Sequence, residues 1–123
     1  MCVCVFVCPL PQFNAIDCQP TNPNACCAVA EADSDSPANG ARIECTQNGG
    51  ATWTTAFFQA GTASSGYSLM EIRYATDDIV FACGGLMGAL YPSAWFLSST
   101  DGGTTWTQTT PSTMVRACVC VCL

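Results

Sequence analysis

The chain has 123 residues, half of them apolar and 10% charged, with a net charge of −6. Three arginines supply all of its positive side-chain charge, and lysine and histidine are absent, which argues against nucleic acid, a polybasic membrane patch, Schiff-base lysine chemistry and every histidine-dependent triad or metal site. No apolar run reaches the roughly 18–20 residues that a membrane-spanning helix needs.

Residues 1–12 open as Met1-Cys2-Val3-Cys4-Val5-Phe6-Val7-Cys8, and residues 113–123 close on Ala117-Cys118-Val119-Cys120-Val121-Cys122-Leu123. A TG dinucleotide repeat reads Cys-Val-Cys-Val in frame, so both tails are expected to be translated simple repeats without selected function. Two other readings stand beside it. Alternate residues of a strand share a face, so C-x-C arrays can present thiols to a soft metal. The first tail also has the apolar character of a signal peptide, against which stand the missing positive n-region and the early Pro9 and Pro11.

Between the tails, the chain reads as strands and turns throughout. Phe13 to Cys18 is followed by the turn residues Pro20-Thr21-Asn22-Pro23-Asn24, then by the small apolar run Cys26 to Ala30. A polar loop from Ser34 to Gly40 leads to the alternating segment Ala41 to Cys45. A second series follows: Leu69 to Tyr74, the turn Asp77-Asp78, Ile79 to Gly84, a loop from Gly84 to Ser93, and Ala94 to Ser98. No stretch sustains a 3.6-residue period, so the fold class is all-β.

The two series end alike. Thr46-Gln47-Asn48-Gly49-Gly50-Ala51-Thr52-Trp53 closes the first, and Ser99-Thr100-Asp101-Gly102-Gly103-Thr104-Thr105-Trp106 closes the second, with the two Trp 53 positions apart. Asn48 and Asp101 suit a turn in which the side chain accepts from backbone N–H groups, and Gly50 and Gly103 suit positive φ. Thr52 and Thr105 are expected to start the outgoing strand, and Trp53 and Trp106 to cover a sheet edge.

These segments resemble the Asp-box motif, S-x-D-x-G-x-T-W, of sialidases and related β-propellers. The flanks are similar to the photosystem II assembly-factor type. The second copy fits all five specified positions, and the first carries Thr46 for Ser and Asn48 for Asp. The resemblance covers about 95 residues and implies two four-stranded antiparallel propeller blades, 13–60 and 61–112, of an incomplete β-propeller. In such families the box is a structural turn away from the central site, so Thr46, Asn48, Gly50, Thr52, Trp53, Ser99, Asp101, Gly103, Thr105 and Trp106 are assigned structural roles. Propellers typically hold 4–8 blades, so further blades are expected in a longer chain or an oligomer.

The catalytic assignment is none. A sialidase holds its substrate carboxylate with three arginines and attacks with a tyrosine. Here Arg42, Arg73 and Arg116 occupy dissimilar positions, no Arg-Ile-Pro motif is present, and Tyr67, Tyr74 and Tyr91 read as packing or surface aromatics. Glu31, Asp33 and Asp35 fail the EF-hand pattern and read as a solvated loop. No metal and no cofactor are expected. Cys18 and Cys26 flank a short turn and could form a disulfide, with Cys27 facing the opposite side; Cys45 and Cys83 read equally well as small buried hydrophobes. An oxidising or secreted compartment fits the eleven cysteines. The function expected is a non-catalytic scaffold or binding surface for a protein or glycan. The alternatives are a truncated sialidase-type glycosidase and a Cys-rich secreted or metal-binding protein.

Overall fold

The computed structural model describes residues 12–31, 40–61, 66–87 and 94–109. Both tails save Gln12, together with Asp33, Asp35, Tyr91 and Arg116, lie outside the described residues. The described residues are all-β and form no helix. Strands β1 (Phe13–Cys18), β2 (Cys26–Ala30), β3 (Ala41–Thr46) and β4 (Thr54–Gln59) make the first sheet. The second contains β5 (Gly66–Tyr74), β6 (Val80–Met87), β7 (Ala94–Ser99) and β8 (Thr107–Thr109). Each is antiparallel, with strands in sequential order, as short hairpin connections favour.

Side-chain size and alternation decide what each strand buries. β2 lies inside its sheet, and all five of its small residues are buried. β3 alternates: Ala41, Ile43 and Cys45 enter the core, while Arg42 and Glu44 turn to the other face. β7 alternates in the same way, burying Trp95, Leu97 and Ser99. The two sheets share one core, in which Cys27, Val29 and Ile43 of the first meet Leu69, Ile72, Val80, Ala82, Trp95 and Leu97 of the second. Phe57 and Trp95 cross with ring centroids 5.6 Å apart. Each fully buried Leu, Ile or Val contributes about 1.5–3 kcal/mol by leaving water.

Polar contacts fix how the sheets lie on each other. Asn14 Nδ2 donates to the Leu69 carbonyl at 2.8 Å, and the Tyr74 N–H donates to Asp17 Oδ2 at 2.8 Å. The Thr21 N–H and hydroxyl both donate to Asp77. Glu31 bridges to Ser68, whose hydroxyl donates to its carboxylate at 3.2 Å. Glu31 is thus an inter-sheet contact rather than a free loop carboxylate.

The register of the first three strands recurs from sheet to sheet, whereas the β3–β4 pairing carries a shift between Ile43 and Glu44 that the β7–β8 pairing lacks. Cys18 pairs with Cys26, which pairs with Thr46; Tyr74 pairs with Val80, which pairs with Ser99. Aligning Thr46 with Ser99 therefore places Cys18 on Tyr74 and Cys26 on Val80. Further along, β1 shifts register between Phe13 and Ala15, and β5 shifts at the corresponding place, between Leu69 and Glu71. A bulge adds one residue and bends its strand, so its recurrence at Asn14 and Met70 marks a shared backbone path.

Candidate functional site

The ten repeated motif residues gather in two turns, between β3 and β4 and between β7 and β8. In the first turn, Thr46 Oγ1 accepts the N–H groups of Asn48 (3.3 Å) and Gly50 (3.0 Å) and donates to Asn48 Oδ1 (2.9 Å). Asn48 Oδ1 also accepts the Thr52 N–H at 2.9 Å. In the second, Ser99 Oγ accepts the N–H groups of Asp101 (3.3 Å) and Gly103 (2.9 Å) and donates to Asp101 Oδ1 (2.7 Å). Asp101 Oδ1 accepts the Thr105 N–H at 2.8 Å. These four bonds match in the two turns; the bonds from Thr104 Oγ1 to the Asp101 carbonyl and from Trp106 Nε1 to the Gly103 carbonyl belong to the second alone, and the contact between positions 48 and 52 or 101 and 105 differs in kind. Thr105 Oγ1 donates to Asp101 Oδ2 at 2.5 Å, whereas Asn48 Nδ2 donates to Thr52 Oγ1 at 2.8 Å. A threonine hydroxyl both donates and accepts, which is why Asp and Asn serve equally here.

The chain reverses at positive φ: Gly49 and Gly50 at 70° and 89°, Gly102 and Gly103 at 71° and 95°. Glycine adopts this region without steric cost. Each turn also leans on the first hairpin of its own sheet, through Gly49 N–H to the Asn24 carbonyl and Gly102 N–H to the Asp78 carbonyl, both 2.8 Å. Thr52 and Thr105 close the turns, and the outgoing strands begin two residues later, at Thr54 and Thr107. This corrects the expectation that these threonines start the strands; their side chains are committed to position 48 or 101.

Hydrogen bonds set the charge state of this turn. The Thr105 hydroxyl and N–H, then the Ser99 hydroxyl, hold the Asp101 carboxyl down at about 2, against an ordinary 3.8. Burial, with Asp17 adding to it, pushes Tyr74 up to about 12. Tyr74 Oη donates to the Gly102 carbonyl at 2.9 Å and lies 3.0 Å from Cys27 Sγ. The tyrosine thereby ties the second turn to the first sheet. Trp106 Nε1 donates to the Gly103 carbonyl at 2.9 Å, and its ring packs on the shared core. Trp53 lies beside Gly50 and is exposed.

Two disulfides crosslink three neighbouring strands. Cys18 joins Cys26 across β1 and β2, and Cys27 joins Cys45 across β2 and β3. Successive strand residues point to opposite faces, so the adjacent Cys26 and Cys27 reach different partners on different sides. Cys45 is therefore a crosslink rather than merely a small buried hydrophobe. In the register Cys45 stands directly opposite Cys27. Cys83 is partly exposed on β6.

The described arginines do not converge. Arg42 lies on the outer face of the first sheet, 5.5 Å from the Phe58 ring centre and 3.9 Å from Glu44. Arg73 alternates with the buried Ile72 and faces away from the core, paired with Glu71 at 2.9 Å. Both sheets stand between them. Arg42 instead borders a concavity of about 610 Å³, lined mainly by Phe13, Ile16, Ala28, Glu44 and Trp53. Among the described residues, no cluster of His, Cys, Asp and Glu is arranged to hold a metal, and no helix is long and apolar enough to cross a membrane.

Comparison with protein-family models, characterised proteins and solved structures gives no match.

Proposed function

We propose that this chain is a non-catalytic segment of a β-propeller, two consecutive blades of the Asp-box type, serving as a scaffold or binding surface. The observation that carries this reading is the recurrence of four turn hydrogen bonds at Thr46–Thr52 and Ser99–Thr105. The recurring bulge at Asn14 and Met70 supports it independently. The polar side chains of each motif are spent on their own turn. Asp101 is held ionised by that turn, which suits a structural acceptor and not a proton donor working near neutral pH.

The separation of Arg42 from Arg73 speaks against a sialidase-type centre, where arginines must clamp one carboxylate together. Two cross-strand disulfides suit an oxidising compartment, where such bonds persist. Binding then belongs to faces and loops rather than to a reactive side chain. The test is turnover of a fluorogenic sialoside by the purified, oxidised protein. No turnover is expected. Activity that Arg42→Ala or Arg73→Ala abolishes would overturn the scaffold reading.

A further inference from the structure

Among the described residues, the junction between the two sheets has exposed apolar counterparts on the outer face of each sheet. By the register alignment, Phe13 and Ile16 occupy the places of Leu69 and Ile72. Leu69 and Ile72 are 0% exposed because the first sheet covers them, whereas Phe13 is 52% and Ile16 55% exposed. At the opposite end, Phe81 occupies the place of Cys27 and is 52% exposed. At Phe13 and Ile16 the outer face of the first sheet is apolar like the surface covered inside the molecule, while the Arg42–Glu44 pair stands where Trp95 and Leu97 are buried. The outer face of the second sheet corresponds to the surface that covers it.

We propose that a second copy of this chain fills this role, seating the outer face of its second sheet on the outer face of the first sheet, head to tail. This rests on the reading of both sheets as equivalent blades.

Side-chain sizes fit the exchange. Inside the molecule, the Cys27–Cys45 disulfide meets Tyr74 and Gly103 so closely that a Cβ on Gly103 would lie 2.7 Å from Cys27 Sγ. At the end-to-end junction, Phe81 replaces Cys27, a larger knob. The hole opposite it is larger too, because Cys18 stands in the place of Tyr74. Gly50, in the place of Gly103, would give its Cβ no neighbour closer than its own Trp53, at 3.6 Å. At this contact the bulk gained on one face, Phe for Cys, is matched by bulk lost on the other, Cys for Tyr. Phe81 would then rest against Gly50 and Trp53 and cover the exposed indole. A head-to-tail contact of this kind is heterologous, and it closes into a ring if the rotation permits. With propellers holding 4–8 blades, a ring would take roughly two to four copies.

The experiment uses the full oxidised chain and measures mass in solution by light scattering and sedimentation. Wild type is expected to form one discrete assembly. Ile16→Asp spoils only the outer face of the first sheet, and Phe81→Asp only that of the second. Each variant alone should be monomeric, and an equimolar mixture should form a heterodimer through the one intact pair of faces. Phe13→Asp and Gly50→Arg address the Ile16 face again, should Ile16→Asp not fold. A monomeric wild type overturns the proposal. So does a folded single variant that still dimerises, because that contact is face to face, and so does a mixture that stays monomeric. A monomeric wild type whose two turns remain protected from amide exchange leaves the blade reading intact. Loss of that protection overturns the blade reading and the assembly together.

Discussion

Replacing Gly103 by alanine imposes two separate burdens, and Gly50→Ala imposes one of them. Both glycines hold left-handed backbone, at φ 95° and 89°, which costs an L-residue roughly 1–2 kcal/mol. At Gly103 the new methyl would also meet Cys27 Sγ at 2.7 Å, Tyr74 Oη at 3.2 Å and Cys45 Sγ at 3.4 Å. A disulfide anchored in two strands cannot swing aside as a flexible side chain can, so the turn or the sheet junction must shift. Overpacking of this kind costs about 1–3 kcal/mol. The expected loss is therefore about 1–2 kcal/mol for Gly50→Ala and about 2–5 kcal/mol for Gly103→Ala. Urea unfolding followed by tryptophan fluorescence measures both, on an Ile16→Asp background that keeps the chain monomeric. Equal losses at the two positions would refute the packing of the second turn on the Cys27–Cys45 bridge.

Asp101 binds its proton more weakly in the folded state than in the unfolded chain, so its share of stability is full above pH about 4 and fades as pH falls toward 2. Asp101→Asn, which copies Asn48, should keep the fold and remove that part of the acid dependence in a pH series of urea melts. Replacing Cys27 and Cys45 by serine opens a bridge of sequence separation 18 and should cost about 3 kcal/mol on the loop-entropy account; an unchanged urea midpoint would contradict it. Ile43→Ala or Leu97→Ala should cost about 2–5 kcal/mol by leaving a cavity between the sheets. Phe58→Ala, on the open face, should stay within about 0.5 kcal/mol of wild type in the same monomeric background; thermal melts separate the two classes.

The all-β class and sequential strand order were legible because turn residues punctuate short apolar segments, and because the same eight-residue pattern recurs. That Asp101 accepts backbone N–H groups of its own turn was legible for a local reason, because the bond spans four residues; that the donor is Thr105 was not. What the sequence hid depends on pairing. Thr46 and Ser99 collect two backbone N–H groups each, a role that the motif letters alone do not reveal. The Cys27–Cys45 bridge needed the β2–β3 register, and the sequence alone does not fix how two strands separated by ten residues are paired. Tyr74 read as a packing or surface aromatic, yet it joins the turn of one sheet to the disulfide of the other, a contact between residues 47 positions apart. Likewise, no local feature marks Ile16 as open and Ile72 as covered; the difference is which neighbour each sheet has.

The repeat itself is tested most directly by amide hydrogen exchange at Gly50, Thr52, Gly103 and Thr105. All four N–H groups donate to a side chain of their own turn. Protection at all four is expected, with Thr46→Ala releasing Gly50 and Ser99→Ala releasing Gly103. Unprotected exchange at Thr52 and Gly50, with Thr105 and Gly103 still slow, would show that the first turn is not built as the second is, and would contradict the equivalence of the two sheets.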